Sequence, residues 1–170
     1  MSTSARGLDP WSWLGWPLVI ALVLTTLLAI PMRLWGLQLP EPVFPLLLAY
    51  AWAVIRPSIL APFGLLLMGL YLDLLWGSRL GLWGVGLLLA YGFVLGTRSM
   101  MAGQSKPMMW AWYGAAGAVG MGAVFLFTML QVNETPSLLA VGWQYLATIL
   151  LYPFADRLID RFEDADVRFR

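Results

Sequence analysis

The chain has 170 residues, 61% of them hydrophobic and only 11% charged, with a mean hydropathy of +0.78 and a net charge of +1. Soluble domains carry about 25% charged residues, so this composition suits lipid rather than water, and the near-zero net charge gives no reason to expect nucleic acid. Cysteine and histidine are both absent, which removes disulfides, thiolate chemistry and the commonest general base and metal ligand; an enzyme is disfavoured and no cofactor or metal is expected.

A membrane helix needs about 20 mostly apolar residues, so the expected fold is all-α, a polytopic bundle of about six spans with short loops. The first span runs from Leu14 to Met32. It could pass for a signal core, but three tryptophans precede or open it, only Arg6 supplies positive charge, and Ala29 to Met32 make a poor cleavage site. It is read as a retained span. The next apolar stretch, Val43 to Ile55, is short and follows Pro40 and Pro42; extending it back to Leu37 takes in Glu41. The third span is Ile59 to Trp76 and the fourth Leu80 to Gly96, separated only by Gly77-Ser78-Arg79. The fifth is Met108 to Leu130 and the sixth Leu138 to Phe154. Residues 1–155 thus form one transmembrane domain, and 156–170 a short charged tail.

Trp16, Trp35, Trp76, Trp110 and Trp143 lie near span ends, as an aromatic belt requires. Trp52 and Trp83 lie deeper and read as packing bulk. With six spans and both termini inside, the cytoplasmic side holds eight cationic residues and the outside two, Arg33 and Arg79. That is a positive-inside bias. Five spans, with Val43 to Ile55 left out and the amino terminus outside, would score the same. Both readings put the carboxyl tail in the cytoplasm.

Asp73 is the most conspicuous ionisable residue inside a span. A carboxylate there needs a partner, water or a protein interior. The reading preferred is a helix-end salt bridge with Arg79 across the tight turn; the alternative is a polar anchor for a partner. A lone carboxylate without a second acid or a histidine is poorly equipped for acid–base catalysis. Arg56-Pro57 marks a helix end, because proline disfavours helix in the residue before it, and Arg56 reads as an interface anchor. Gly92 and Gly96, and Gly114, Ala118 and Gly122, recur at four-residue spacing and are candidates for close helix packing. In the tail, Arg157 with Asp160 and Arg161 with Asp164 are spaced for ion pairs along a helix. Asp156 and Asp160 form an acidic pair at four-residue spacing, but each is followed by arginine and no second acidic motif exists. A solvated helix end is preferred to a metal site.

The segment Pro62 to Gly81, PFGLLLMGLYLDLLWGSRLG, resembles bacterial rod shape-determining proteins of the MreD family. The resemblance rests on Arg56-Pro57, an apolar helix ending in Gly69-Leu-x-x-Asp73, the glycine turn at Gly77 and the Leu80-Gly81 pair, with Pro45 and Tyr50 upstream. Length, span spacing and the arginine-bearing tail agree across nearly the whole chain. The resemblance implies a multi-pass protein of the bacterial inner membrane, with a fold similar to the substrate-binding component of energy-coupling-factor transporters. It implies a non-enzymatic role in the peptidoglycan elongation machinery. The partners implied are a bitopic MreC-like protein, and through the complex the actin-like MreB, the RodA glycosyltransferase and a penicillin-binding transpeptidase. It carries over no catalytic residue. The Trp-rich flank before the first span, with its single arginine, departs from the family pattern.

The main alternative is a component binding a small vitamin-like molecule for transport. It would need convergent polar groups, for which Asp73, Gln131, Asn133, Gln144 and Tyr145 are the candidates. A membrane transferase would need an acidic or histidine cluster, and a lipid-precursor flippase a wet groove with inward arginines.

Overall fold

The computed structural model describes residues 11–29, 33–34, 37–38, 41–132 and 137–167. Arg6, Trp35, Pro40, Asn133, Arg168 and Arg170, and the side chains of Arg33, Gln131 and Asp164, lie outside the described residues.

Among the described residues the fold is helical, apart from one minimal strand pairing. A π-helical turn, Trp11–Gly15, leads into α1 (Trp16–Leu28). Two-residue strands β1 (Arg33–Leu34) and β2 (Leu37–Gln38) pair antiparallel, Arg33 opposite Gln38. Then follow α2 (Phe44–Ile55), α3 (Leu60–Trp76), α4 (Leu82–Met101), α5 (Lys106–Val132), α6 (Leu138–Ile149) and α7 (Tyr152–Val167). Three helical stretches are long and apolar enough to cross a membrane: Leu82–Met101, Lys106–Leu130 and Leu138–Arg161. Three more, Trp13–Leu28, Phe44–Ile55 and Leu60–Trp76, are apolar but shorter. These six stretches fall where the sequence predicts spans.

The short second helix is the axis of the bundle. Its sequence, FPLLLAYAWAVI, is apolar on every side, and such a helix belongs in an interior. All its residues from Pro45 to Ala53 are buried, and it touches each of the other six helices. At about 1.5 Å per residue it is roughly 18 Å long, well short of a hydrocarbon core of about 30 Å. Small residues at Ala49, Ala51 and Ala53 let neighbours approach. Proline in the first turn starts it without losing a hydrogen bond. Arg56, extended at φ −157° and ψ 115° as a residue before proline must be, ends it.

Close helix contacts are made through glycine, at positions other than the spaced candidates. A Cβ on Gly69 of α3 would lie 2.3 Å from the Cα of Gly84 on α4, so these two backbones touch. A Cβ on Gly86 would lie 3.0 Å from the carbonyl oxygen of Gly120, and one on Gly120 3.1 Å from that of Gly86, which joins α4 to α5. By contrast, nothing lies within 4 Å of a Cβ built on Gly92, Gly96 or Gly122, and Ala118 is exposed. Gly114 has ordinary contact with Tyr145 and Ile149.

The predicted sixth span is two helices. The break at Leu150-Leu151 precedes Pro153, which can neither donate a hydrogen bond nor fit against the carbonyl four residues back, that of Ile149. In lipid a freed carbonyl must find another donor. Trp110 Nε1 donates to Ile149 O at 3.1 Å, and the Tyr113 hydroxyl donates to Thr148 O at 2.9 Å. Beyond the break α7 continues to Val167, with Ala155 and Ile159 buried. The boundary expected at residue 156 therefore falls inside a helix whose inner face belongs to the core.

Two contacts orient the outer helices along α2. Trp52 Nε1 donates to the carbonyl of Trp13 at 3.1 Å, so α1 starts where α2 ends. Val43 N–H donates to Thr148 Oγ1 at 3.1 Å, and Val54 and Ile159 line one cavity, so α7 runs alongside α2 in the same direction.

Candidate functional site

Asp73 is fully buried, and its partners are backbone groups rather than arginine. Gly77 ends α3 in the left-handed conformation at φ 65°, and Gly81 enters α4 at φ 94°; a side chain at either position would be strained. The tight turn these glycines allow folds the start of α4 back over the last turn of α3. One Asp73 oxygen, Oδ2, accepts from Gly81 N–H at 2.7 Å. The other, Oδ1, accepts from the Ser78 hydroxyl at 2.6 Å and from Trp83 N–H at 3.2 Å. Asp73 therefore caps α4 from the preceding helix. It satisfies otherwise unpaired N–H groups and places negative charge at the positive end of the helix dipole.

The expected salt bridge is absent: among the described residues the ion pairs are Lys106–Asp156 and Lys106–Asp160. Arg79 points outward and lines a shallow surface depression with Leu82 and Phe127. The physical reason is the geometry of the turn, which lays the start of α4 over the carboxylate although Arg79 is nearer along the chain. The amides of α4 reach the carboxylate first, and a guanidinium has no cause to leave water to join a group already satisfied. The same end carries a second polar contact. Trp76 Nε1 donates to Glu41 Oε2 at 2.8 Å, and the Trp76 ring packs edge-on against Trp83.

At the opposite end, Lys106 opens α5 and bridges to α7. Its Nζ lies 2.8 Å from Asp156 Oδ2 and 3.1 Å from Asp160 Oδ2. The acidic pair of the tail thus faces lysine across the bundle instead of its neighbouring arginines. It also compensates an ammonium sitting at the positive end of α5. Tyr152 completes the corner, its ring stacked on Trp110 and its hydroxyl donating to the Lys106 carbonyl at 3.3 Å. Arg98, Gln104, Lys106 and Asp156 line a cleft of about 410 Å³ here. Arg56 and Pro57 are exposed at this end; the neighbouring Ser58 is held by its backbone to the Tyr91 hydroxyl.

An apolar groove of about 820 Å³ runs along the side of the bundle. One wall is the face of α1 bearing Ile20, Leu24 and Leu28, and the other is α7 with Phe154, Leu158 and Arg161. Leu47 and Leu48 of α2 form its floor. Four-residue spacing alone marked none of this, since a groove exists only where two helices splay.

Among the described residues, the polar groups that a small-molecule site would need do not converge. Asp73 is consumed as a cap. Tyr145 lines a shallow depression between α5 and α6 and donates to the Gly114 carbonyl at 2.8 Å. Gln144 accepts at its backbone carbonyl from the Thr148 hydroxyl and lines none of these cavities. No group of three potential metal-ligating side chains occurs among the described residues.

Comparison with protein-family models, with curated proteins and with solved structures yields no match to this chain.

Proposed function

We propose that this protein is a non-enzymatic, multi-pass subunit of the bacterial cell-elongation machinery, acting as MreD-like proteins do in rod-shape determination. The observation that carries this reading is the use made of the motif Gly69 to Gly81. Gly69 provides the close approach of α3 to α4, Asp73 caps α4, and Gly77 and Gly81 adopt the left-handed turn conformations. Each of these residues builds the α3–α4 hairpin, and none is left over for chemistry. A motif spent wholly on architecture suits a protein that works by presenting a shape.

What the bundle presents is apolar. Leu139, Trp143 and Leu146 of α6, with Leu150 just beyond it, form one exposed ridge, and Leu60, Phe63 and Leu67 form another on α3. In a bilayer such ridges meet lipid or partner helices. The partner proposed is a bitopic MreC-like protein, with the actin-like MreB, the RodA glycosyltransferase and a penicillin-binding transpeptidase joined through the complex. The protein sits in the inner membrane with its carboxyl end in the cytoplasm, where Arg56, Arg98, Lys106, Arg157 and Arg161 meet the positive-inside rule.

The test is affinity purification of the full chain in mild detergent, with mass spectrometry of associated membrane proteins. Recovery of the bitopic protein and the elongation synthases is expected. Recovery instead of the ATPase subunits of a vitamin transporter would replace this reading with the transport one.

A further inference from the structure

We propose that the groove between α1 and α7 is a binding site for one anionic phospholipid of the cytoplasmic leaflet. The acyl chains would lie along the groove and the phosphate against Arg161. The inference needs the chain to lie in a bilayer, but not its membership of an elongation complex.

The groove is polar at one end only. Because α1 starts where α2 ends, and α7 runs with α2, Trp16 and Arg161 stand at the same end of the groove. That end also carries Arg56 and Arg98, and Lys106 held by Asp156 and Asp160. From there the walls are apolar as far as Leu28 and Phe44. An exposed indole and a guanidinium at the mouth of an apolar channel match the headgroup level, where tryptophan settles and arginine binds phosphate with paired hydrogen bonds.

Length separates a lipid from a transmembrane helix as the occupant. The α1 wall from Trp16 to Leu28 is about 18 Å long at 1.5 Å per residue. One leaflet of a bilayer has about half the roughly 30 Å hydrocarbon core, so a single lipid matches the groove from headgroup to chain ends. A partner helix crossing both leaflets would overrun it. The volume, about 820 Å³, lies within the range of roughly 300–1,000 Å³ usual for ligand sites. The floor is α2, which is packed against the other helices on its remaining sides, so the groove cannot close by collapse of its base.

The test uses the full chain reconstituted in phosphatidylcholine nanodiscs containing phosphatidylglycerol, then released into mild detergent for native mass spectrometry. One phosphatidylglycerol per chain should be retained, preferred over phosphatidylcholine by about tenfold, as for a charge-assisted hydrogen bond. Arg161→Gln should bring that preference close to one while the thermal unfolding midpoint stays unchanged. Leu24→Trp, which fills the groove, should abolish retention of both lipids, whereas Leu67→Trp on the outer face of α3 should not. A photocrosslinking amino acid in place of Leu24 should form a lipid adduct in cells. An undifferentiated lipid shell, an unchanged preference in Arg161→Gln, or a Leu24 adduct with another protein or a second copy of the chain would each overturn the proposal.

Discussion

Asp73 illustrates how a buried charge becomes a structural fitting. Its two oxygens accept from Gly81 N–H, Trp83 N–H and the Ser78 hydroxyl, so removing it strands donors at the start of α4. The loss combines a helix cap with charge-assisted hydrogen bonds, and Asp73→Ala should cost about 2–3 kcal/mol. Asp73→Asn should recover only part of this, because its amide nitrogen would face an N–H. Arg79→Ala should lie within about 0.5 kcal/mol of the parent, as for an exposed side chain with no ion-pair partner among the described residues. Unfolding of the three variants in one detergent checks the ranking; equal losses for Asp73→Ala and Arg79→Ala would restore the salt bridge. The sequence shows that Asp73 needs a partner. It does not show which, because Arg79 is nearer along the chain than the α4 amides and only the turn geometry chooses between them. Lys106 shows the same limit. Its partners lie 50 and 54 residues away, and no local spacing points to them.

Between helices, glycines act by letting backbones meet, and position decides which ones do so. Gly69→Leu would drive a side chain into the backbone of Gly84 and should destroy the α3–α4 contact. Gly92→Leu and Gly96→Leu point into open space and should accumulate and purify like the parent. Expression and detergent gel filtration of the three distinguish these outcomes. The four-residue spacing of Gly92 and Gly96 was readable, but the side of α4 that faces α3 and α5 was not. An apolar helix in lipid has no polar face to reveal its inward side. The break between α6 and α7 was legible in part, since Pro153 stands in the sequence, but its repair was not. Trp110→Phe should leave the Ile149 carbonyl without its indole donor and cost about 1 kcal/mol, within the range for hydrogen bonds between membrane helices. Thermal unfolding of Trp110→Phe against Trp143→Phe, an exposed indole on α6, measures it.

For the whole molecule, the axial place of α2 explains why its status was ambiguous in the sequence. A stretch of twelve apolar residues is too short for a clear span, yet the surrounding helices bury it from Pro45 to Ala53. The basic residues Arg56, Arg98, Lys106, Arg157 and Arg161 share one end of the bundle, and Arg79 occupies the other. A fluorescent protein fused to the carboxyl terminus should be bright, and a phosphatase active only in the periplasm should be silent there. The reverse pattern would invert the orientation.

Composition and apolar run lengths pointed to lipid as the solvent, and to the helical class and the approximate places of six apolar helices, because a long apolar run satisfies its own backbone polar groups only as a helix. The same absences argued against histidine- and cysteine-based chemistry. Tertiary structure alone decided that Asp73 caps a helix, that Lys106 binds two aspartates of α7, that Gly69 and Gly84 touch, and that α1 and α7 part to leave a groove. Each of these depends on which faces meet. In a uniformly apolar sequence that choice is made by shape and packing between distant residues, and neither leaves a periodic trace along the chain.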